Sequence, residues 1–445
     1  MFKNFLFFTI FFFLPFNLKA QNGFRFINQS KKNVRVDFKL INNLIVIPLK
    51  INGKELSFIL DTGSNKTIVF NISENDTIGL KNLEKVELQG LGKGNSVEAL
   101  LSQNNSISLG NIQSENETIY VILKDYFDLS SKMGTTIHGI IGHNLLKNFT
   151  IKINYIAKKI DFYESKNGEF KKCRKCAVFP IKIIRGKPFL EAKVQIDTLG
   201  NSLTDVNLLI DSGGSDALWL FEESKKEIQT PNNFFVDILG EGLSGTIYGN
   251  RSRIPSFRLG IFQLEKPTVS FLDSLTTINA KIFKERNGSI GAGILKRFTV
   301  WIDYPNKKIM LKRNSNFSEK FNYNMSGLEV VYNGKQLVRE EETKTFTDGY
   351  NQQIESSNSV SFVTSFSYKF KPSFVIKSVV KNSPAEKVGL LKDDIILNIN
   401  GIQAHEFTLG KIIEKFQEKD GKKIKITVDR KGQKLKFEFF LKQKV

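Results

Sequence analysis

Two short segments carry a carboxylate followed by a hydroxyl residue and a glycine. They are Asp61-Thr62-Gly63 in FILDTGSN (58–65) and Asp211-Ser212-Gly213 in LLIDSGGS (208–215). Two carboxyl groups held close together cannot both ionise cheaply, so one keeps a proton while the other stays charged. The charged group can take a proton from water while the protonated group polarises a carbonyl. If the segments meet in the fold, the pair can act as a general acid and a general base on a water molecule and a carbonyl group.

The similarity between the segments continues downstream. VELQGLGKG (86–94) matches VDILGEGLSG (236–245), and GIIGHNLLKNFTIKINYIAKKI (139–160) matches SIGAGILKRFTVWIDYPNKKI (289–309). One Asp-Thr-Gly alone is typical of a polar turn that closes a buried strand. Two copies, each followed at a similar distance by Ile-Gly and a Phe-Thr strand, predict two homologous units in tandem.

The residues beside each Asp suit a crowded site. The glycines let the backbone approach the carboxylates, and the hydroxyls of Thr62 and Ser212 can bond across to the opposite segment. The fourth position differs, because Ser64 can donate to its Asp whereas Gly214 cannot. Loss of a donor raises a carboxyl pKa. We therefore expect a less acid optimum than that of strongly acidophilic enzymes with this chemistry.

Strands must position these segments. LIVIPLKINGKELSFIL (44–60) reads as a hairpin, with an Asn52-Gly53 turn and a second strand that ends at Asp61. FPIKIIRGKPFLEAKVQI (179–196) opens the second unit similarly, with extra residues before Asp211. Sustained helical periodicity is scarce between residues 40 and 315, so both units should be mostly β.

These motifs resemble the retropepsin and pepsin type of aspartic peptidase over about residues 34–315. The resemblance implies a bilobal fold of two retropepsin-like β-barrel lobes, each giving one carboxylate, Asp61 or Asp211, to a catalytic dyad. It implies that Thr62 and Ser212 cross-link the two Asp loops. It also implies strands that brace these loops, at Ile141-Gly142 and at Ile290-Gly291. Ser289 departs from the apolar pattern of the second brace.

Glycine-rich segments follow each Asp strand. They contain Gly90, Leu91, Gly92 and Gly94 in the first unit and Gly240, Gly242 and Gly245 in the second. The resemblance implies mobile flaps that close on an extended peptide, and ordinary bulged hairpins are the alternative. Two similar flaps are more retropepsin-like than pepsin-like.

The pattern changes beyond Arg313. PSFVIKSVVKNSPAEKVGLLKDDIILNINGIQ (372–403), a helix pattern at 406–419 and a hairpin pattern at 423–441 resemble a PDZ domain, spanning about 320–443. The family implies a peptide added as a strand, with its carboxylate held by a loop. Here that loop would contain Ser326, Gly327 and Leu328, although Glu329 departs from the usual pattern. A PDZ-like fold that only packs on the protease is the alternative. Residues 333–360 read as a flexible insertion.

The N-terminal sequence and the net charge indicate where the protein acts and which partners it has. Residues 1–20, with Lys3, an apolar run and Leu18-Lys19-Ala20, read as a signal peptide, which predicts a periplasmic or extracellular protein. No later segment has the apolar length of a membrane span. The formal net charge is +20, and removal of Lys3 and Lys19 would leave +18. The lysines are spread along the whole chain without a nucleic-acid stripe, so we expect a basic surface and no nucleic-acid partner.

Cys173 and Cys176 are the two cysteines of the chain. A local disulfide is the favoured interpretation, and a redox pair or part of a zinc site are alternatives that lack supporting residues. His138 and His143 flank GIIG without the spacing of a zinc hydrolase, so we expect no metal and no cofactor.

The sequence thus predicts a mostly β protein with lobes at 34–165 and 177–315 and a PDZ domain at 320–443. Its predicted function is that of an exported aspartic endopeptidase with a monomeric catalytic unit. Its partners would be a peptide or protein substrate and a peptide ligand in the PDZ groove. A binding protein or sensor of the same fold without turnover is the alternative.

Overall fold

The computed structural model describes residues 23–347 and 360–445, apart from 73–77, 91–93, 95, 124–127, 166–172, 198–199, 201, 244, 278–279, 281–282 and 284. The proposed signal peptide and the flap residues Leu91 and Gly92 lie outside the described residues.

Lobe one contains twelve strands and two short helices in its described residues. In chain order they are β1 (Arg25–Phe26), β2 (Asn33–Asp37), β3 (Lys39–Ile41), β4 (Leu44–Ile51), β5 (Lys54–Leu60), β6 (Thr67–Val69), β7 (Glu84–Leu88), β8 (Val97–Leu109), β9 (Ile112–Val121), α1 (Leu129–Met133), β10 (Gly139–Ile141), α2 (His143–Leu146), β11 (Phe149–Asn154) and β12 (Lys159–Glu164).

Lobe two repeats this plan. Its elements are β13 (Cys176–Pro180), β14 (Lys182–Ile184), β15 (Lys187–Gln195), β16 (Thr204–Ile210), β17 (Leu218–Phe221), β18 (Phe235–Gly242), β19 (Gly245–Arg253), β20 (Ser256–Leu259), β21 (Phe262–Glu265), β22 (Thr268–Leu272), β23 (Gly288–Ile290), α3 (Ala292–Leu295), β24 (Phe298–Asp303), β25 (Lys308–Arg313) and a 3₁₀ helix (Ser315–Ser318).

Each lobe has its own sheet, and the Asp strand lies near its centre. In lobe one the order is β1-β9-β6-β10-β5-β4-β8-β7, with β3 beside β4. In lobe two it is β18-β19-β22-β17-β23-β16-β15-β20-β21, with β14 beside β15. The predicted hairpin of β4 and β5 forms, and its turn residues Asn52 and Gly53 have φ of 47° and 90°, as a two-residue turn requires.

A third sheet joins the lobes. Its order is β13-β25-β24-β11-β12-β2, so three strands come from each lobe. At its centre β11 pairs with β24, which places Ile151 opposite Ile302 and Ile153 opposite Val300. All four side chains are buried in one continuous core that includes residues of both lobes. Because the lobes share this core, they are fixed relative to each other.

The C-terminal module forms a separate sheet and core. Its elements are β26 (Leu328–Thr347), β27 (Val360–Val379), α4 (Pro384–Lys387), β28 (Ile395–Ile399), β29 (Ile402–Gln403), a 3₁₀ helix (Ala404–Glu406), α5 (Leu409–Lys415), β30 (Lys423–Arg430) and β31 (Gln433–Phe440). The strand order is β26-β27-β28-β30-β31, with β29 beside β28.

The prediction of a flexible insertion at 333–360 is wrong for residues 333–347. These residues continue β26, which pairs with β27 as far as Thr347 and Val360. β-branched and aromatic residues on β27 suit a two-stranded ribbon, and Glu340 forms ion pairs with Lys369 and Lys371 at 2.8 and 2.7 Å. Cross-strand charge pairing therefore supports a segment whose polarity suggested a loop.

The module is docked on both lobes. Lys377 Nζ lies 2.8 Å from Asp128 Oδ2, beside α1 of lobe one. A Cβ added to Gly134 would lie 3.1 Å from Leu409 Cβ, at the start of α5. Towards lobe two, the Tyr323 hydroxyl donates to the Ser252 carbonyl at 2.7 Å. The linker and the module are thus packed against the protease-like lobes.

The interlobe sheet generates a stability prediction. Ile302 is 1% exposed at its centre, whereas Ile261 is 67% exposed at a turn. Ile302→Ala should lower the free energy of unfolding by about 2–5 kcal/mol because it leaves a cavity, while Ile261→Ala should change it by less than about 0.5 kcal/mol. Urea denaturation followed by tryptophan fluorescence measures both, and equal effects would contradict the assigned core.

Candidate active site

The fold brings Asp61 and Asp211 together between the lobes. Asp61 follows β5 and Asp211 follows β16, and their carboxyl groups are neighbours, because a Cβ added to Gly63 would lie 3.1 Å from both Asp61 Oδ1 and Asp211 Cγ. The Gly63 N–H donates to Asp61 Oδ1 at 2.7 Å, and the Gly213 N–H donates to Asp211 Oδ1 at 3.0 Å. The two carboxyl groups are therefore held in equivalent positions by the glycine of their own loop.

Two hydroxyls lock the Asp loops to each other. Thr62 Oγ1 donates to the Ile210 carbonyl at 2.7 Å and accepts from the Ser212 N–H at 2.9 Å. Reciprocally, Ser212 Oγ donates to the Leu60 carbonyl at 2.7 Å and accepts from the Thr62 N–H at 3.0 Å. Both side chains are buried. We call these four hydrogen bonds the loop lock, and each crosses between lobes.

Glycine is required where each loop meets the opposite carboxyl group. A Cβ at Gly213 would lie 2.4 Å from Asp61 Cγ, and one at Gly63 would lie 3.0 Å from Asp211 Oδ1. The expected donation from Ser64 to Asp61 is wrong, because Ser64 Oγ donates to the Lys66 carbonyl at 2.9 Å instead. The difference between Ser64 and Gly214 therefore does not make the pair asymmetric by this route.

The strands β10 and β23 lie under the two loops, at the residues that the sequence suggested as braces. The Asp61 N–H donates to the Ile141 carbonyl at 2.8 Å, and the Asp211 N–H donates to the Ile290 carbonyl at 2.9 Å. Gly142 and Gly291 follow directly. A Cβ there would lie 2.1 Å from the Asp61 carbonyl oxygen and 2.2 Å from the Asp216 carbonyl oxygen, respectively. Only glycine fits at these two positions.

Burial sets the protonation of the pair. Desolvation is the largest cause, and together with the charge of the nearby Asp211 it raises the pKa of Asp61 to about 8, although the Gly63 N–H and Lys187 oppose the shift. The pair therefore retains one proton at neutral pH. The geometry thus provides one acid group and one acceptor group side by side.

Two hairpins, one from each lobe, contact each other. The first joins β7 to β8 and includes Gly90, and the second joins β18 to β19 and includes Gly240 and Gly242. A Cβ at Gly90 would lie 2.7 Å from the Leu243 Cβ, so Gly90 of the first hairpin is in contact with Leu243 of the second. Leu243 also packs against the buried apolar cluster of lobe one. Leu243 thus connects the second hairpin to lobe one.

Sequence reasoning missed the turns that hold each Asp loop from the opposite lobe. Asn43 Nδ2 donates to the Ser215 carbonyl at 3.0 Å, and Asn65 Nδ2 donates to the Arg185 carbonyl at 3.1 Å. The equivalent turns precede β4 and β15. Ser215 and Asn65 occupy equivalent positions of the repeat. This equivalence was the signal in the sequence from which the contacts could have been predicted.

The residues outside the pair take structural roles. Cys173 and Cys176 form a disulfide. His138 Nδ1 accepts from the Ser57 N–H at 3.1 Å. The His143 ring lies against the Gly186 turn, and burial lowers its pKa.

The candidate carboxylate loop of the C-terminal module is largely satisfied internally. Ser326 is fully buried, and its N–H donates to Asn324 Oδ1 at 2.9 Å. The Leu328 N–H donates to Ser326 Oγ at 3.0 Å. A Cβ at Gly327 would lie 2.1 Å from Ser383 Cβ. Two of the amides proposed for carboxylate binding are therefore already paired.

Comparisons with known families agree with the two modules. Residues 47–145 match the family described as Aspartyl protease, and residues 375–430 match the family described as PDZ domain. Comparison with curated proteins returns no match. The chain therefore contains an aspartyl protease domain and a C-terminal PDZ domain in a mostly β fold. The first match covers lobe one, and the likeness of lobe two rests on the repeat and on its sheet order.

None of the helices in the described ranges combines the length and the hydrophobicity that crossing a membrane would require.

The loop lock generates a second prediction. Thr62→Val removes both hydrogen bonds of one buried hydroxyl and should lower the free energy of unfolding by roughly 1–3 kcal/mol. Thr67 is equally buried, but its hydroxyl has no hydrogen-bond partner among the described residues, so Thr67→Val should be neutral or stabilising. Urea denaturation compares them. If Thr67→Val lowers the free energy of unfolding as much as Thr62→Val does, the loss comes from the changed shape of the side chain and not from the hydrogen bonds of the loop lock.

Proposed function

We propose that the protein is an exported aspartic endopeptidase that uses Asp61 and Asp211 as its catalytic dyad. The observation that supports this most directly is the shared carboxyl pair at the lobe interface, held by the loop lock. Export is supported by the N-terminal sequence of residues 1–20. The PDZ domain would recruit, position or regulate the substrate.

The proposed reaction uses one water and one proton from the dyad. The charged carboxylate removes a proton from the water, whose oxygen attacks the carbonyl carbon, while the protonated carboxyl group donates to the carbonyl oxygen. As the tetrahedral diol collapses and the C–N bond breaks, the dyad gives one proton to the leaving amine and takes one proton from a hydroxyl of the diol, which becomes the carboxyl carbonyl. The dyad returns to its singly protonated state. The pair titrates as one unit, so the two roles belong to the pair.

The glycines of the dyad loops serve this reaction. Since Gly63 and Gly213 place backbone N–H groups on the carboxyl oxygens, the pair is oriented before a substrate enters. The hairpins that meet at Gly90 and Leu243 would close on a bound peptide and exclude water.

Single substitutions in the dyad test the proposal. Asp61→Asn and Asp211→Asn should each lower kcat/KM by about a hundredfold or more, because each removes one partner of the proton transfer. Cleavage of a diverse peptide pool by the mature chain, from pH 3 to 8 and read by mass spectrometry, measures this. Asp37→Asn on the exposed surface is the matched control.

Loss of cleavage must come from chemistry and not from unfolding. Far-ultraviolet circular dichroism of each variant checks the fold. If the wild type cleaves nothing at any pH while still binding peptides, the alternative of a binding protein without turnover replaces the peptidase.

The raised pKa of Asp61 gives a separate pH prediction. A carboxyl group whose pKa is raised by folding stabilises the native state fully below its ordinary pKa, and this contribution is lost as the pH rises through about 8. Asp61→Asn cannot lose that proton. Its free energy of unfolding relative to wild type should therefore increase from pH 4 to 8 and then level off.

Urea denaturation of wild type, Asp61→Asn and Asp37→Asn at pH 4, 6, 8 and 9 measures this difference. For the same reason, wild-type kcat/KM should fall as the pH rises through about 8. A pH-independent stability difference would show that Asp61 is not protonated in the folded protein.

A further inference from the structure

The two halves of the cleft differ at the positions opposite the dyad. In lobe one Val46 pairs with Ile59. If this register is continued by two residues, Leu44 lies opposite Asp61. In lobe two Phe189 pairs with Leu209, and the same step places Lys187 opposite Asp211. Directly opposed residues on neighbouring strands share a face of the sheet. Lys187 therefore shares the face of Asp211, and its lobe-one equivalent is the buried Leu44.

A second cation takes the place of another apolar residue. Ile137 lies two residues before Gly139 of β10, and Arg286 lies two residues before Gly288 of β23. Ile137 is fully buried and Arg286 is only 4% exposed. The repeat thus places a buried arginine where lobe one has a buried isoleucine.

The surroundings hold Arg286 on the dyad side of its sheet. Its Nη2 donates to Ser289 Oγ at 2.7 Å, and its Nε donates to the Gly288 carbonyl at 3.1 Å. Ser289 pairs with Leu209, which alternates onto the same face as Asp211. The guanidinium also lies 4.9 Å from the centre of the Phe221 ring. Ser289, a departure from the apolar pattern of the brace, is therefore the residue that positions Arg286.

The turn before Lys187 is fixed against lobe one. A Cβ at Gly186 would lie 2.8 Å from the His143 ring, and the Arg185 carbonyl accepts from Asn65, beside the Asp61 loop. Lys187 thus begins its strand at the lobe interface. We call Lys187 and Arg286 the cation pair.

The positive charge of the cation pair is larger than the negative charge of the carboxylates near it. Lys187 and Arg286 repel each other, and Asp61 and Asp211 are the carboxylates whose charges act on them. The dyad carries a single negative charge while Asp61 is protonated. In the part of the chain that the structure describes, neither cation has a carboxylate within ion-pair distance. A buried excess of positive charge is costly, and a carboxylate from a ligand would offset it with charge-assisted hydrogen bonds.

The lobe-one half of the cleft is different in chemistry. Its buried residues form an apolar cluster that consists of Leu44, Val46, Ile59, Ile68, Phe70, Leu88, Val97, Ala99, Ile122, Met133 and Ile137. Leu243 from the opposite hairpin packs on this cluster. The lobe-one residues that match the cation pair, Leu44 and Ile137, are therefore apolar and packed in this cluster, whereas lobe two has two cations at these positions.

We propose that the cation pair binds a substrate carboxylate, so that the enzyme cleaves beside an aspartate or glutamate side chain. This specificity rests on the proposed peptidase function. Lys187 supplies most of the selectivity, because Arg286 is also bonded to Ser289 and Gly288. A free C-terminal carboxylate has the same chemistry and is the other source of the anion.

The first test compares glutamate with glutamine in substrates. Cleavage sites of an end-blocked peptide pool identify one preferred sequence, which is then made in its Glu and Gln forms. Wild type should prefer the Glu form by about tenfold or more in kcat/KM, since a hydrogen bond to a charged group contributes about 1.5–3 kcal/mol. Lys187→Leu, which introduces the residue found at the matching position of lobe one, should bring the ratio of kcat/KM for the Glu and Gln forms close to one. Lys187→Glu should shift cleavage towards peptides with lysine or arginine.

Lys193→Leu is the matched control, because Lys193 is an exposed lysine on the same strand. Equal cleavage of Glu and Gln forms by wild type, or a preference retained in Lys187→Leu, would overturn the proposal. A different result would identify a terminal carboxylate as the ligand. In that case wild type would cleave the Glu and Gln forms of end-blocked peptides equally but would prefer peptides with a free C-terminus. Lys187→Leu would lose the preference for the free C-terminus, and the proposed side-chain specificity would be wrong.

A binding measurement separates this proposal from the peptidase function. Fluorescence anisotropy of labelled, end-blocked eight-residue pools, one rich in Glu and one with Gln in its place, needs no turnover. Tighter binding of the Glu pool to wild type, lost in Lys187→Leu and kept in Lys193→Leu, supports the anion site even if no peptide is cleaved. Equal binding of the pools by all three proteins, without cleavage, overturns both.

Discussion

The loop lock between Thr62 and Ser212 is the interaction on which the rest of the site depends. Each hydroxyl donates to a carbonyl of the opposite lobe and accepts the N–H of the opposite hydroxyl residue. Because each donor and acceptor finds its partner only across the interface, neither lobe can satisfy its own loop alone. Unpaired buried polar groups are costly, so the energy that joins the lobes is the same energy that brings the carboxyl groups together.

A wider set of contacts links this centre to the PDZ domain. Asn43 holds the Ser215 carbonyl of the second Asp loop, and its neighbour Asn42 donates to the Lys132 carbonyl at the end of α1. From α1 the chain passes Gly134, which lies against Leu409 of the PDZ domain, and then enters β10 beneath Asp61. The edge strand β26 contacts both α1 and α5. The PDZ domain is therefore packed on the segment that leads into the brace of the active site, not tethered at a distance.

Much of the fold was predictable because the same sequence patterns occur in both repeats. The hairpin of β4 and β5, the meeting of Asp61 with Asp211, and the crowding at Gly142 and Gly291 all follow from short, local patterns that occur twice. The β26–β27 ribbon was missed because its stability comes from cross-strand pairs such as Glu340 with Lys369, and composition alone does not give strand register. Ser64 was misassigned because a hydroxyl can satisfy its own loop. Arg286 was overlooked because an arginine beside a polar segment reads as surface until its burial is known.

The sharing of one site by two repeats in a single chain has a consequence for sequence change. In a dimer of identical subunits, every substitution near the interface appears twice, once on each side of the axis. Here Leu44 and Lys187 occupy matching positions but differ in charge, and so do Ile137 and Arg286. A peptide bound across such a site meets different surroundings towards its N-terminus and towards its C-terminus. The two directions of a polypeptide are therefore distinguishable, which a site with perfect twofold symmetry cannot achieve.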